Sequence, residues 1–209
     1  MTSSLLRRSS AVAALALSLG LGLAACGSND SSTDAKAGSD TSASVEAPAM
    51  DAGADTFGPG CKLIPSDGKG SFNGMATDPV ATAASNNPLL KTLVTAVGKA
   101  GLGDTLNSAD ALTVFAPTDD AFAKIPSDTL NGILADKAML TKVLTHHVVA
   151  GKLSPDQLAG THKTLAGDTI TVEGSGEDFT VAGANAKVLC GNIPTANATV
   201  YVIDTVLVP

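Results

Sequence analysis

The apolar positions of this chain fall into four patterns in order. Ala11 to Leu23 is an apolar block broken by the single polar residue Ser18. Gly27 to about Ala54 has no apolar periodicity at all. From Asp78 to Leu144 the apolar residues recur mostly at helical spacing, and from His146 onward they mostly alternate as in strands. Asp78-Pro79 starts a short helix through Ser85. Asn87-Pro88 starts a second, with Asn as N-cap and Pro at the first helical position, carrying Leu89, Leu90, Leu93, Val94 and Val97 until Gly101. Gly103 to Ala111 reads as a loop. Ser127 caps a helix bearing Leu130, Ile133 and Leu134, and Asp136 caps one bearing Leu140, Val143 and Leu144.

The most fully specified stretch is Leu112 to Pro126. Leu112, Thr113, Val114 and Phe115 favour a strand, and Pro117 cannot continue a ladder. Thr118 then suits an N-cap, with Asp119 and Asp120 in the first turn, where negative charge meets the positive end of the helix dipole. Ala121, Phe122 and Ile125 follow at helical spacing, so Val114, Phe115 and Phe122 are expected in a core.

His146 to Ala150 is expected as a short strand, which would send His146 and His147 to opposite faces. Ser154-Pro155 opens one helical turn through Leu158. Thr169–Val172 and Phe179–Val181 alternate as a hairpin joined through Gly174-Ser175-Gly176. Ala186 to Ile193 and Thr199 to Leu207 complete the strands. Helices first and strands afterwards, with one early strand, is an α+β order and not an alternating one.

The N-terminal block is a targeting segment. Arg7 and Arg8 precede an apolar run too short to span a bilayer, and the run ends at Leu23-Ala24-Ala25-Cys26. That ending resembles the bacterial lipobox, whose cysteine receives a diacylglycerol thioether and becomes the mature N-terminus. Residues 1–25 are thus expected to be a lipoprotein signal peptide, and Cys26 the lipidation site. Two or more acyl chains hold a protein on a membrane stably. Residues 26–56 then form a disordered linker, too polar to offset its ordering entropy. Its coil reaches roughly 30 Å, lifting a domain off the lipid surface. Thr33, Thr41 and nearby serines are acceptable O-glycosylation sites, and an unmodified tether fits the composition equally.

Charge narrows the functional classes. The formal net charge is −7 over 209 residues, with no Trp and one Tyr. An acidic chain with few stacking platforms lacks what a nucleic-acid binder needs. Cys61 and Cys190 remain after Cys26. In an exported domain two thiols pair more readily than they bind metal, since no His lies at zinc-like spacing, and the absence of C-x-x-C disfavours a redox pair. No serine has the Gly-x-Ser-x-Gly context and no Gly-rich loop has phosphate-binding spacing. No catalytic residue, metal site or cofactor is expected. Asn197-Ala198-Thr199 fits a glycosylation sequon formally but reads as a turn.

Three segments together resemble the fasciclin domain. These are Thr113-Val114-Phe115-Ala116-Pro117-Thr118-Asp119-Asp120-Ala121-Phe122, Leu144-Thr145-His146-His147-Val148-Val149-Ala150-Gly151, and Val202-Ile203-Asp204-Thr205-Val206-Leu207-Val208-Pro209. His147 falls on the family's histidine and His146 replaces its usual tyrosine. A closer likeness is to the small single-domain actinobacterial members, mycobacterial surface lipoprotein antigens among them. It lies in Gly58-Pro59-Gly60-Cys61 and in Cys190 to Tyr201, and implies a disulfide between Cys61 and Cys190. The resemblance implies a β-wedge of two short sheets packed on a helical layer over residues 57–209, with Thr113 to Thr118, Asp120, Phe122, His147, Ile203, Asp204, Leu207 and Pro209 as structural motif positions. It implies adhesion at the cell surface through a protein, matrix or cell-wall polymer partner. The scarcity of aromatics leaves room for another expectation, a carrier of a small apolar ligand such as a lipid or pigment held between helices and sheet.

Overall fold

The computed structural model describes residues 51–209. The expected signal peptide, the lipidation site at Cys26 and most of the linker lie outside the described residues. Within the described residues, contacts precede Phe57: a turn at Asp51–Thr56 is fastened by the Ala52 N–H donating to Asn73 Oδ1 (2.8 Å).

After a 3₁₀ turn at Cys61–Leu63, four helices lead the fold: α1 (Phe72–Ala76), α2 (Val80–Asn86), α3 (Lys91–Ala100) and α4 (Gly103–Ser108). Then come β1 (Leu112–Pro117), α5 (Asp119–Ala123), α6 (Ser127–Ala135), α7 (Lys137–His146), β2 (Val148–Ala150) and the single turn α8 (Pro155–Leu158). Five strands finish it: β3 (Gly160–Lys163), β4 (Thr169–Ser175), β5 (Asp178–Val181), β6 (Ala186–Pro194) and β7 (Ala198–Ile203).

The α+β order stands, but the expectation of two sheets does not. The strands form one seven-stranded sheet in the order β2-β1-β7-β6-β5-β4-β3. The reason lies in β6. Its first residues pair with β5, and from Val188 onward it pairs with β7 across two register shifts. A nine-residue strand with bulges bends enough to serve both halves, so one ladder runs through what would otherwise be two sheets. The outer edges almost meet: Val149 bridges Thr164, and the Leu165 N–H donates to the Val148 carbonyl (2.8 Å). Near-closure of this kind leaves few unpaired strand edges.

β1 is buried along its whole length and separates two cores. Val114 and Ala116 face the helices, where they meet Leu93, Ala96, Phe122, Leu140 and Val143. Phe115 faces the other way, into a core enclosed by the bent sheet. There Phe115, Tyr201, Phe57 and Phe179 form an aromatic chain with ring centroids 5.9, 6.3 and 5.6 Å apart. Only six aromatic residues exist in the chain, and four of them lie here, so this core rests on aromatic packing while the helical one is aliphatic. Cys61 and Cys190 are disulfide-bonded across 129 residues. In the chain-entropy account, closing such a loop is worth about 4–5 kcal/mol.

Four local expectations are corrected. The helix expected from Asn87-Pro88 starts at Lys91. The Asn87 side chain instead accepts from the Leu89 N–H (3.0 Å), holding a turn that precedes the helix. The expected loop at Gly103–Ala111 contains α4. His146 and His147 are not on a strand: α7 runs through His146, and His147 is its C-cap. The last strand stops at Ile203, because Asp204 turns aside to accept from the Lys187 N–H (2.9 Å) and the Thr205 hydroxyl (3.0 Å).

Candidate functional site

An apolar cavity lies between the helices and β1. α2 contributes Val80 and Ala84, α3 contributes Val94 and Val97, β1 contributes Val114, and α4 closes one side with Leu106. The result is a cavity of about 80 Å³ with an almost wholly apolar lining and no charged residue on its wall. Such a wall suits hydrocarbon, since a charged group entering it would lose its hydration without a partner. The cavity is about half the size of one that admits a benzene ring.

His147 forms part of the boundary. Its ring is buried, and its two nitrogens have different partners. Nε2 accepts from the Leu207 N–H (2.9 Å), which fixes that nitrogen as unprotonated, so Nδ1 carries the hydrogen and donates to the Val143 carbonyl (2.7 Å). The imidazole is therefore neutral and joins the end of α7 to the C-terminal segment. Burial lowers its pKa, the Val143 carbonyl offsets part of that, and neighbouring His146 lowers it further, leaving it at about 4. A metal or ligand role would need a free nitrogen, and both are engaged.

His146 has a different task. Its Nδ1 lies 2.8 Å from Asp168 Oδ1, and the same carboxylate oxygen accepts from the Thr164 hydroxyl. Thr164's hydrogen bond, with help from His146, holds the Asp168 carboxyl below the ordinary range against the opposing pull of desolvation. Thr, Asp and His sit together here, but the carboxylate stands between hydroxyl and imidazole. The hydroxyl faces a carboxylate of lowered pKa and not an imidazole, so the group lacks the hydroxyl-to-histidine contact of acyl-transfer chemistry. What it does instead is fasten the seam where β2 and β3 meet. His162 is half-exposed, and its Nε2 lies 2.8 Å from the Leu158 carbonyl.

The remaining motif residues have structural surroundings. The Thr113 hydroxyl donates to the Gly151 carbonyl (2.7 Å) and accepts from the Leu153 N–H (2.9 Å). Ala116 and Pro117 are enclosed, and Ile203 and Leu207 are buried in the sheet-side core. Thr118 accepts from the Ala121 N–H (3.2 Å), and Asp119 and Asp120 occupy the first turn of α5. Partial burial raises the Asp204 carboxyl's pKa, but the Lys187 N–H, the Thr205 hydroxyl and Lys124 together carry it below the ordinary range. Asp120 and Pro209 stand on the surface. The motif positions thus serve the two cores and their connections, and of these Val114, Phe115 and His147 also line the cavity.

Asn197, read in the sequence as a turn, does more. Its amide donates to the carbonyls of Leu106 (2.8 Å) and Ala109 (2.9 Å), while its Oδ1 accepts from the Val80 N–H (2.9 Å). Both donor and acceptor capacity are spent on backbone, so the sequon is occupied by structure. Asn107 works beside it: its Oδ1 accepts from the Ala81 N–H (2.9 Å) and its amide donates to the Thr82 hydroxyl (3.2 Å). Neither role was legible from spacing, since the partners lie 25 to 117 residues away. The one sequence signal is an Asn within each polar turn.

This chain belongs to the fasciclin domain family: a family model described as Fasciclin domain matches residues 88–209. It is similar to cell surface glycolipoprotein MPT83 of Mycobacterium tuberculosis, at 48% identity over 186 residues, covering 85% of this chain and 83% of that protein. The immunogenic protein MPT70 of the same organism is also 48% identical, over 166 residues, covering 76% of this chain and 84% of that protein. Among solved structures, a FAS1 domain pair from the insect cell adhesion molecule fasciclin I aligns with a TM-score of 0.48 at 23% identity, covering 58% of this chain and 46% of that one.

Proposed function

We propose that this is a lipid-anchored surface protein that carries one fasciclin domain outward on a flexible tether for adhesive contact with a protein, matrix or cell-wall polymer. One observation carries the reading. The similarity to a cell surface glycolipoprotein covers 85% of the chain, more than the domain from Phe57 onward, in a chain whose leader ends in Leu-Ala-Ala-Cys26. Residues 1–25 act as the signal peptide, Cys26 takes lipid, and residues 26–56 are the spacer. The domain works by binding and not by catalysis, and its motif positions serve as scaffold. Membrane fractionation of Cys26→Ala in the native host tests the anchor: the variant leaves the membrane fraction, and a variant that still pellets after salt washing overturns it. Cells complemented with wild type or Cys26→Ala, compared for retention on immobilised matrix proteins and cell-wall polymer, test adhesion. Equal retention of both strains and the empty host would refute it.

A second reading is supported by the apolar cavity: the domain carries a small apolar ligand at the envelope. Native mass spectrometry of the chain purified from its own host tests it. A mass equal to the polypeptide and its covalent lipid alone counts against the reading.

A further inference from the structure

The cavity is too small for most lipids as it stands, yet one of its walls is built differently from the others. α4 is six residues long, and none of its residues is fully buried. No side chain caps its N-terminus. Gly101 precedes it in the left-handed conformation (φ +71°), and Gly103 begins it with open space where a Cβ would stand. Two glycines flanking one residue give the backbone freedom to pivot there. α4 is tied down chiefly by polar contacts, and of its residues Leu106 alone packs, partly buried, against the helical core. Asn107 reaches the start of α2, and Asn197 gathers carbonyls from the end of α4 while holding the Val80 N–H. Over the cavity α4 lays only Thr105 and Leu106, joined from the hinge by Leu102.

We propose that α4 is a lid, hinged at Gly101–Gly103 and latched by Asn107 and Asn197, and that lifting it admits the end of an aliphatic acyl chain from a membrane lipid. This rests on the apolar-ligand reading. The occupant follows from the lining and from the chain outside the described residues. The wall has no charge to receive a headgroup, so only the hydrocarbon end enters. Twenty-four residues separate Cys26 from Asp51, a coil of about 25–30 Å. With lipid on Cys26, that tether keeps the domain beside a bilayer, where acyl chains are the most abundant apolar molecules. Asp51–Thr56 leaves the domain at α1, which packs against α2, one wall of the cavity.

The test uses the exported full chain with Cys26→Ser, so that no lipid of its own competes, and follows uptake of cis-parinaric acid by fluorescence. Thr82→Cys with Asn107→Cys joins α2 to α4 at a point where their side chains already touch. Oxidised, this pair slows uptake at least roughly tenfold, and mild reduction restores it, with the unsubstituted chain carried through the same reductant as control. Asn107→Ala, which removes one latch, raises the rate of uptake by roughly tenfold, the factor to which the net stabilisation of one hydrogen bond corresponds. Uptake that is equally fast in the oxidised pair, or unchanged in Asn107→Ala, overturns the lid while leaving the ligand reading in place. No uptake by either the Cys26→Ser chain or Asn107→Ala refutes the apolar-ligand reading itself, and the lid with it.

Discussion

His147 allows the sharpest test of the fold's chemistry. In the folded chain its ring is neutral, with Nε2 accepting from the Leu207 N–H. Protonation would place the ring's second hydrogen on that nitrogen, pointing at another N–H, inside a core. The folded pKa is therefore about 4, against 6.5 for an ordinary histidine. Because the folded value is depressed, the unfolded chain binds a proton between pH 6.5 and 4 that the folded chain refuses. The stability contribution is complete above pH 6.5, falls as pH drops towards 4, and is gone below that. A difference of this size corresponds to about 3 kcal/mol. Urea denaturation of the domain from Asp51 onward, at intervals from about pH 7.5 to about pH 4, measures it. His147→Leu removes the titration while keeping His146 and His162. The variant is less stable than wild type at the upper end of that range by about 1–3 kcal/mol, because the Leu207 N–H loses its acceptor. The gap narrows as pH falls, since wild type alone loses the His147 contribution. Carboxylates with lowered pKa values, Asp168 and Asp204, erode both proteins together at lower pH. Two-dimensional NMR of the imidazoles gives an independent check. A His147 resonance titrating in the ordinary histidine range, or a gap that stays constant with pH, would refute the neutral buried imidazole.

Three further outcomes follow from packing. Phe122→Ala, in the aliphatic core, lowers unfolding free energy by about 3–5 kcal/mol by chemical denaturation, and an unchanged midpoint would remove Phe122 from the core. Thr118→Ala costs about 1 kcal/mol through the missing α5 cap, and Thr118→Ser recovers most of it. Gly191→Ala places a methyl group 2.3 Å from Phe57 Cζ, so the ring must leave its place between Phe179 and Tyr201. Thermal denaturation should show a destabilisation of about 1–3 kcal/mol, and a neutral result would mean the aromatic chain is looser than drawn.

What the sequence revealed was whatever is decided locally. Thr118 with Asp119 and Asp120, Asp136 before α7, and Ser154-Pro155 all specify their helices within a single turn. α4 escapes a local reading because Gly-Asp-Thr-Leu-Asn-Ser is poor helical sequence. It is helical because Asn197, some ninety residues on, binds its carbonyls. The neighbours Val148 and Val149 make a strand of His146 and His147 in a local reading, whereas Leu140, Val143 and Leu144 carry α7 past them into the core. A single sheet instead of two depends on how β6 bends, and nothing in an alternating pattern encodes that. Of the cavity, the sequence disclosed some of the walls, such as Val94, Val97 and Val114, but not that they enclose a space.

The pairing of β1 with β7 has a consequence for how the chain reaches its native state. These two strands run parallel, with Leu112 beside Ala198 and Pro117 beside Ile203. β7 also holds β6, so the strand made last is the one that joins both halves of the sheet. Neither core can close until it arrives, and loop-closure entropy must be overcome before those contacts form. On the export route proposed above, with the N-terminus leading, the chain stays without its sheet until β7 has crossed. On that proposed route, folding and the bond between Cys61 and Cys190 fall on the far side of the membrane.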